Sequence, residues 1–234
     1  MAERAGCAVA VKICGVTRPA DARLAALAGA DYVGAILSPG FARSVAPADA
    51  ATFLDVPGPV LVGVVVDAGV EAAARAARTA GAGVIQLHGH EAAEELQALR
   101  GEGDWRLWKA VRAQSADDVR EAFDRWAGVA DGLLLDGFHP SAAGGAGVAF
   151  PWEALEPLRG FLPEGLSLIV AGGLTPQNVS DAVSRLSPHV VDVSSGVEHR
   201  LGVKDPDKVH GFIDNARNAA GHQASAASPR FRRT

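Results

Sequence analysis

Eight short apolar runs, spaced by roughly one strand-plus-helix unit each, constrain this chain most. They lie near residues 9–14, 31–37, 60–66, 83–87, 106–111, 131–136, 166–171 and 189–193. Most are rich in Val, Ile and Leu without strict alternation, the pattern of parallel strands buried on both faces. Helix-start signals stand between them. Thr17 with Pro19, Thr175-Pro176 and Asp205-Pro206 each set a capping side chain near a first-turn proline. Ser115-Ala116-Asp117-Asp118 has the form of a capping box. Near the C-terminus Val209, Phe212, Ile213 and Ala216 repeat at i, i+3, i+4, i+7 and define one buried helix face. Eight strands alternating with eight helices predict a single-domain α/β fold, a TIM (β/α)8 barrel. An open doubly wound sheet has the same local pattern, because periodicity does not report closure. The expected layout is an N-terminal extension at 1–8, the barrel over 9–219 and a disordered, solvated tail over 220–234.

Composition narrows the function classes. With 234 residues, 48% of them apolar, the chain can bury a large core. A net charge of −5 leaves no electrostatic footprint for nucleic acid. No apolar stretch is long enough for a membrane helix, and the first residues lack a signal-peptide core. The two cysteines, Cys7 and Cys14, cannot frame a disulfide scaffold, so a reduced, cytoplasmic setting is expected. Neither CxxC nor a His/Cys cluster at ligand spacing occurs, and no metal is expected.

In such a barrel the site lies at the C-terminal ends of the strands. The first run ends Val11-Lys12-Ile13-Cys14-Gly15-Val16-Thr17, and a strand there puts Lys12 and Cys14 on one face. An ammonium and a following helix N-terminus would both favour a thiolate. Cys14 reads equally as a small buried hydrophobe. Asp136 ends the sixth run, where partial burial favours its protonated form and makes it a usable acid; a cap or loop ion pair fits the same position. Gly172-Gly173 and Ser194-Ser195-Gly196 end the seventh and eighth runs, where this fold often holds phosphate, although each is also an ordinary tight turn. Arg43 carries a fork suited to a carboxylate or stands solvated in its loop. His88 either contacts a ligand or is structural, and Lys109 and Arg112 lie on the fifth strand. Asp192, inside the eighth strand, is expected beneath the site.

Taken in order, these residues resemble the phosphoribosylanthranilate isomerase family of tryptophan biosynthesis. The matching segments are Lys12-Ile13-Cys14-Gly15-Val16-Thr17, Gln86-Leu87-His88-Gly89, Ala171-Gly172-Gly173-Leu174-Thr175-Pro176-Gln177-Asn178-Val179, Val191-Asp192-Val193-Ser194-Ser195-Gly196-Val197-Glu198 and Gly202-Val203-Lys204-Asp205. The resemblance implies an acid/base Amadori rearrangement with Cys14 as general base and Asp136 as general acid. Arg43 would take the anthranilate carboxylate, and Lys12, Gln86, His88, Gly145, Gly172, Gly173, Ser194, Ser195 and Gly196 would contact substrate. It implies a small phosphorylated substrate; acid/base chemistry of this kind requires no cofactor, charge and hydropathy predict no nucleic-acid or membrane partner, and the sequence leaves monomer and homodimer both open. Two loops depart from the family pattern: Ala146 and Val148 stand where a hydroxyl and a cation are usual, and Gly40-Phe41-Ala42-Arg43 replaces a more basic cluster. A related Amadori isomerase of histidine biosynthesis would need an aspartate, not a cysteine, at the end of the first strand. A catalytically silent barrel that binds a phosphorylated metabolite is the remaining alternative.

Overall fold

A computed structural model describes residues 9–55, 57–137 and 152–227, with side chains to residue 221. Eight parallel strands close on themselves in sequence order: β1 (Ala10–Ile13), β2 (Tyr32–Ile36), β3 (Val60–Val65), β4 (Val84–Leu87), β5 (Arg106–Arg112), β6 (Gly132–Asp136), β7 (Ser167–Val170) and β8 (Val190–Val193). β1 pairs with both β2 and β8, with Lys12 beside Asp192 in register. Closure selects the TIM barrel over the open sheet. The eight apolar runs are the eight barrel strands.

Helices α1 (Pro19–Ala28), α2 (Pro47–Ala50), α3 (Val70–Ala80), α4 (Ala93–Arg100), α5 (Ala116–Trp126), α6 (Trp152–Leu155), α7 (Val179–Leu186) and α8 (Pro206–Ala227) fill the connections, with α2 and α6 reduced to one turn each. Ser115 and Asp118 form the expected reciprocal cap of α5. Asp205 accepts from Lys208 N at the start of α8. The other two start signals act differently. Thr17 donates to the Gly202 carbonyl at 2.7 Å, and α1 begins at Pro19 with no side-chain cap. Thr175 precedes a turn that becomes α7 only at Val179, because Asn178 accepts from Thr175 N and donates to Gly173 O.

On α8 the face of Val209, Phe212, Ile213 and Ala216 is completely buried. Each large side chain there contributes about 1.5–3 kcal/mol of apolar burial. Ala219 and Ala220 continue that face, and the helix runs to Ala227. Residues 220–227 therefore extend the helix rather than begin a tail; alanine carries the strongest intrinsic helix preference.

The pleat sorts side chains between two cores. One set packs between strands and helices. The other fills the barrel interior: Tyr32, Val62, Val64, Val84, Trp108, Ala110, Leu134, Ile169 and Val190, with Tyr32 and Trp108 edge to face at 4.9 Å. Lys12, Cys14, Gln86, Asp136 and Asp192 share the parity of these interior positions on their strands, so they rise from the barrel floor toward its mouth. Gly34 on β2 leaves them room: a Cβ there would sit 2.8 Å from Cys14 Sγ and 3.1 Å from Lys12 Cε.

Candidate active site

A cavity of about 710 Å³ opens at the C-terminal ends of the strands. That volume suits a drug-sized or sugar-phosphate ligand. Its wall includes Cys14, Arg43, Gln86, His88, Asp136, Gly172, Gly173, Ser194, Ser195 and Gly196. Residues from six loops or strand ends thus converge on one space. Gly145, Ala146 and Val148 lie outside the described residues.

Lys12 is not in that wall. Its side chain is wholly buried, one pleat below Cys14, and its Nζ lies 3.0 Å from Asp192 Oδ2. Burial by itself would discharge this lysine. Asp192 and the Cys14 sulfur more than offset that, holding its ammonium above the ordinary range. Asp192 does reach the cavity, and its Oδ1 is buried without a hydrogen-bond partner.

The nearness in sequence of Lys12 and a helix N-terminus predicts a depressed Cys14 thiol. The thiol is instead pushed up, because burial outweighs the opposing pull of Lys12. Lys12 spends its charge on Asp192, and α1 starts only at Pro19, five residues after the cysteine.

On the β4 and β6 side, Gln86 Nε2 lies 2.9 Å from His88 Nδ1. With the amide as donor, Nδ1 accepts and Nε2 is the ring nitrogen that faces Asp136. That nitrogen is 3.4 Å from Asp136 Oδ2. Asp136 Oδ1 accepts from Gly137 N at 2.8 Å. Gln86 Oε1 is buried and unpartnered. An unsatisfied buried acceptor costs about 1–3 kcal/mol, which a ligand donor would recover.

The β7 and β8 ends form the wall between Asp136 on β6 and Cys14 on β1, since β6, β7, β8 and β1 are successive neighbours. Gly172 has φ +82, and a Cβ on it would meet Gly137 N at 2.3 Å and Asp136 Oδ1 at 2.9 Å. A side chain at Gly196 would collide with the Leu174 carbonyl. These glycines let the two loops approach each other and leave backbone amides near the cavity. The helix expected to start at Thr175 after β7 begins only at Val179, behind a turn, and a separate 3-10 segment, Ser195–Val197, follows β8.

Arg43 arrives from the β2 loop and is not solvated. Its Nε and one Nη each donate to Glu198 at 2.7 Å. Glu198 also accepts from Lys204 Nζ at 3.1 Å. Lys109 sits inside the β4–β5 wall, giving hydrogen bonds to the Leu87, Gly89 and Ala110 carbonyls and pairing with Glu91 at 3.0 Å. Glu91 in turn accepts from the amides of Asp67 and Gly89. This buried pair pins the loop that carries His88. Glu91, Glu198 and Lys204 received no role from the sequence. Glu198 and Lys204 do fall in the segments that resemble the family, and Glu91 in none of them, but no sequence pattern separates a buried partner from a surface charge.

Comparison with known proteins gives one family. Residues 11–215 match the family described as N-(5'phosphoribosyl)anthranilate (PRA) isomerase. An N-(5'-phosphoribosyl)anthranilate isomerase from Trichlorobacter lovleyi is 38% identical over 213 residues, 90% of this chain and 99% of the relative. The crystal structure of phosphoribosyl anthranilate isomerase from Thermotoga maritima superposes with a TM-score of 0.80 at 34% identity, covering 90% of this chain and 99% of that one. A phosphoribosyl anthranilate isomerase in complex with reduced 1-(o-carboxyphenylamino)-1-deoxyribulose 5-phosphate gives 0.78 at 32% identity, over 90% and 99% of the two chains.

Proposed function

The chain belongs to the phosphoribosylanthranilate isomerase family, and from that membership we propose that it converts N-(5-phosphoribosyl)anthranilate to 1-(2-carboxyphenylamino)-1-deoxyribulose 5-phosphate in tryptophan biosynthesis. The observation that carries this reading is the flanking of the two glycine- and serine-rich loops of β7 and β8 by Asp136 on one side and Cys14 on the other. Phosphate held at Gly172, Gly173, Ser194, Ser195 and Gly196 puts the sugar between an acid and a base. Its binding energy orients the reacting carbons and excludes water.

Asp136 in its protonated form gives a proton to the furanose ring oxygen, and the ring opens to a Schiff base. The Cys14 thiolate then takes the proton from C2′. The resulting enolamine tautomerises to the aminoketone. One acid and one base complete this proton inventory. A thiol pushed up by burial is scarce as thiolate at neutral pH but strongly basic once formed, and Lys12 limits the rise. His88, oriented by Gln86, faces the acid and keeps its carboxyl turned into the cavity. Arg43 takes the anthranilate carboxylate. A cytoplasmic setting fits the free thiol of Cys14. Among the described residues no helix is long and apolar enough to cross a membrane.

The test is direct. Phosphoribosylanthranilate is generated from anthranilate and phosphoribosyl pyrophosphate, and its fluorescence decay is followed with the folded protein. Catalysed decay with formation of the aminoketone supports the isomerase. Binding of the substrate without catalysed decay supports the silent barrel.

A further inference from the structure

Arg43 lies in the cavity wall, whereas Glu198 and Lys204 stand behind it. The Glu198 side chain is 6% exposed and that of Lys204 is wholly buried. A guanidinium has two edges that can each hold a carboxylate in a fork. Glu198 occupies one of them, Nε with one Nη, at 2.7 Å each. The second Nη makes no hydrogen bond to any described residue. Gly15 lets the stem pass close to β1, since a Cβ there would come within 2.6 Å of Arg43 Cδ.

Behind Arg43 the charges are tied into the phosphate side. Lys204 Nζ binds Glu198 at 3.1 Å and the Ser194 carbonyl at 3.0 Å. Lys208 Nζ holds the Glu198 backbone carbonyl at 2.8 Å. On the Glu198 carboxylate itself, Arg43 and Lys204 bring one positive charge more than it neutralises, Lys208 meeting only its backbone carbonyl. That surplus lies beside the cavity and suits one carboxylate.

We infer that Glu198 is a positioning residue: it grips Arg43 by its inner edge, leaves the outer edge for the substrate's aromatic carboxylate, and through Lys204 sets that clamp in register with the Ser194 phosphate loop. The inference rests on the proposed role of Arg43. It goes further by assigning the group that aims Arg43 and the pair that couples the two anionic ends of one substrate. Glu198 makes no contact with substrate, and its removal acts on where Arg43 points.

The experiment is steady-state kinetics on Glu198→Gln, Arg43→Ala and the double variant. Two substrates are compared: phosphoribosylanthranilate and the carboxylate-free N-(5-phosphoribosyl)aniline. Glu198→Gln keeps the shape but turns one acceptor into a donor facing Arg43. It is expected to raise KM for the anthranilate substrate about tenfold while kcat changes by less than about threefold, the pattern of lost binding that is uniform along the reaction. KM for the aniline substrate is expected to stay at its wild-type value. In the Arg43→Ala background the same change should add nothing. Glu198→Asp, which keeps the charge but withdraws it by one methylene, is read in the same way if the glutamine variant does not fold. An unchanged KM in the Glu198 variants, equal losses on both substrates, or a full further loss in the Arg43→Ala background overturns the inference while leaving Arg43 its role. An unchanged KM in Arg43→Ala overturns the role of Arg43 and the inference together.

Discussion

Replacing Lys12 by Met removes one charge from the floor of the site and keeps most of the side-chain volume. Lys12 is fully buried, and its ammonium pairs with Asp192 at 3.0 Å. The other Asp192 oxygen has no partner. The variant therefore strands a buried carboxylate, and breaking such a pair costs about 3–5 kcal/mol. For a chain of this size each kcal/mol moves the melting temperature by about 2–4 °C, so the midpoint should fall by about 6–20 °C. Adding Asp192→Leu removes the stranded charge and should restore most of the loss. The pH dependence has a definite sign. Lys12 has its folded pKa above the ordinary value, so its contribution is complete below about pH 10.4 and is lost as the pH climbs through the higher folded value. The gap between wild type and variant should be full at neutral pH and close in strong alkali. Catalysis gives a second, independent reading. Burial raises the Cys14 thiol and Lys12 opposes the rise, so removing Lys12 should shift the basic limb of kcat/KM to higher pH. Circular dichroism melts and a pH–rate profile measure the two effects. A midpoint within about 2 °C of wild type at pH 7 would refute the buried-pair argument. A limb that stays in place or moves to lower pH would refute the electrostatic link between Lys12 and Cys14.

Two further outcomes follow from particular contacts. Gly172→Ala puts a Cβ against Gly137 N and Asp136 Oδ1 at a φ of +82; the conformation alone costs about 1–2 kcal/mol, and displacement of the acid should lower kcat by about 100-fold, measured by the isomerisation assay and a thermal melt. Burial opposes the ionised form of Glu198, but Arg43 and Lys204 more than offset it and hold its carboxyl below the ordinary range. Its stabilising contribution should therefore be full above about pH 4.3 and disappear as the pH falls through the lower folded value, so wild type should lose its stability advantage over Glu198→Gln in acid denaturant titrations.

The barrel was legible because its strands are short, continuous Val/Ile/Leu runs and its last helix carries a clean apolar face. Closure was not legible, since pairing of β1 with β8 is a contact between chain ends that no local pattern encodes. The cavity wall was legible at Cys14, Asp136, Gly172, Gly173 and Ser194 because the fold rule points to strand ends. What sequence could not supply was the depth of each charge. Lys12 and Arg43 are both cations beside the site, yet one lies under the thiol against Asp192 and the other is forked to Glu198. Cys14 shows the consequence. A neighbouring cation in sequence suggested a lowered thiol, while its actual balance depends on burial and on where Lys12 spends its charge. Long-range partners 155 and 180 residues away decide both cases.

If Cys14 and Asp136 act as base and acid on phosphoribosylanthranilate, each is needed for turnover and neither for binding. The most direct measurement is the fluorescence assay run with wild type, Cys14→Ala and Asp136→Asn, alongside binding of a reduced product analogue to each. Wild type should give fast decay, either variant should lose about 10²-fold or more, and both should keep analogue binding. Wild-type rates in either variant, or a folded wild type that binds the analogue without turning over substrate, would contradict that assignment.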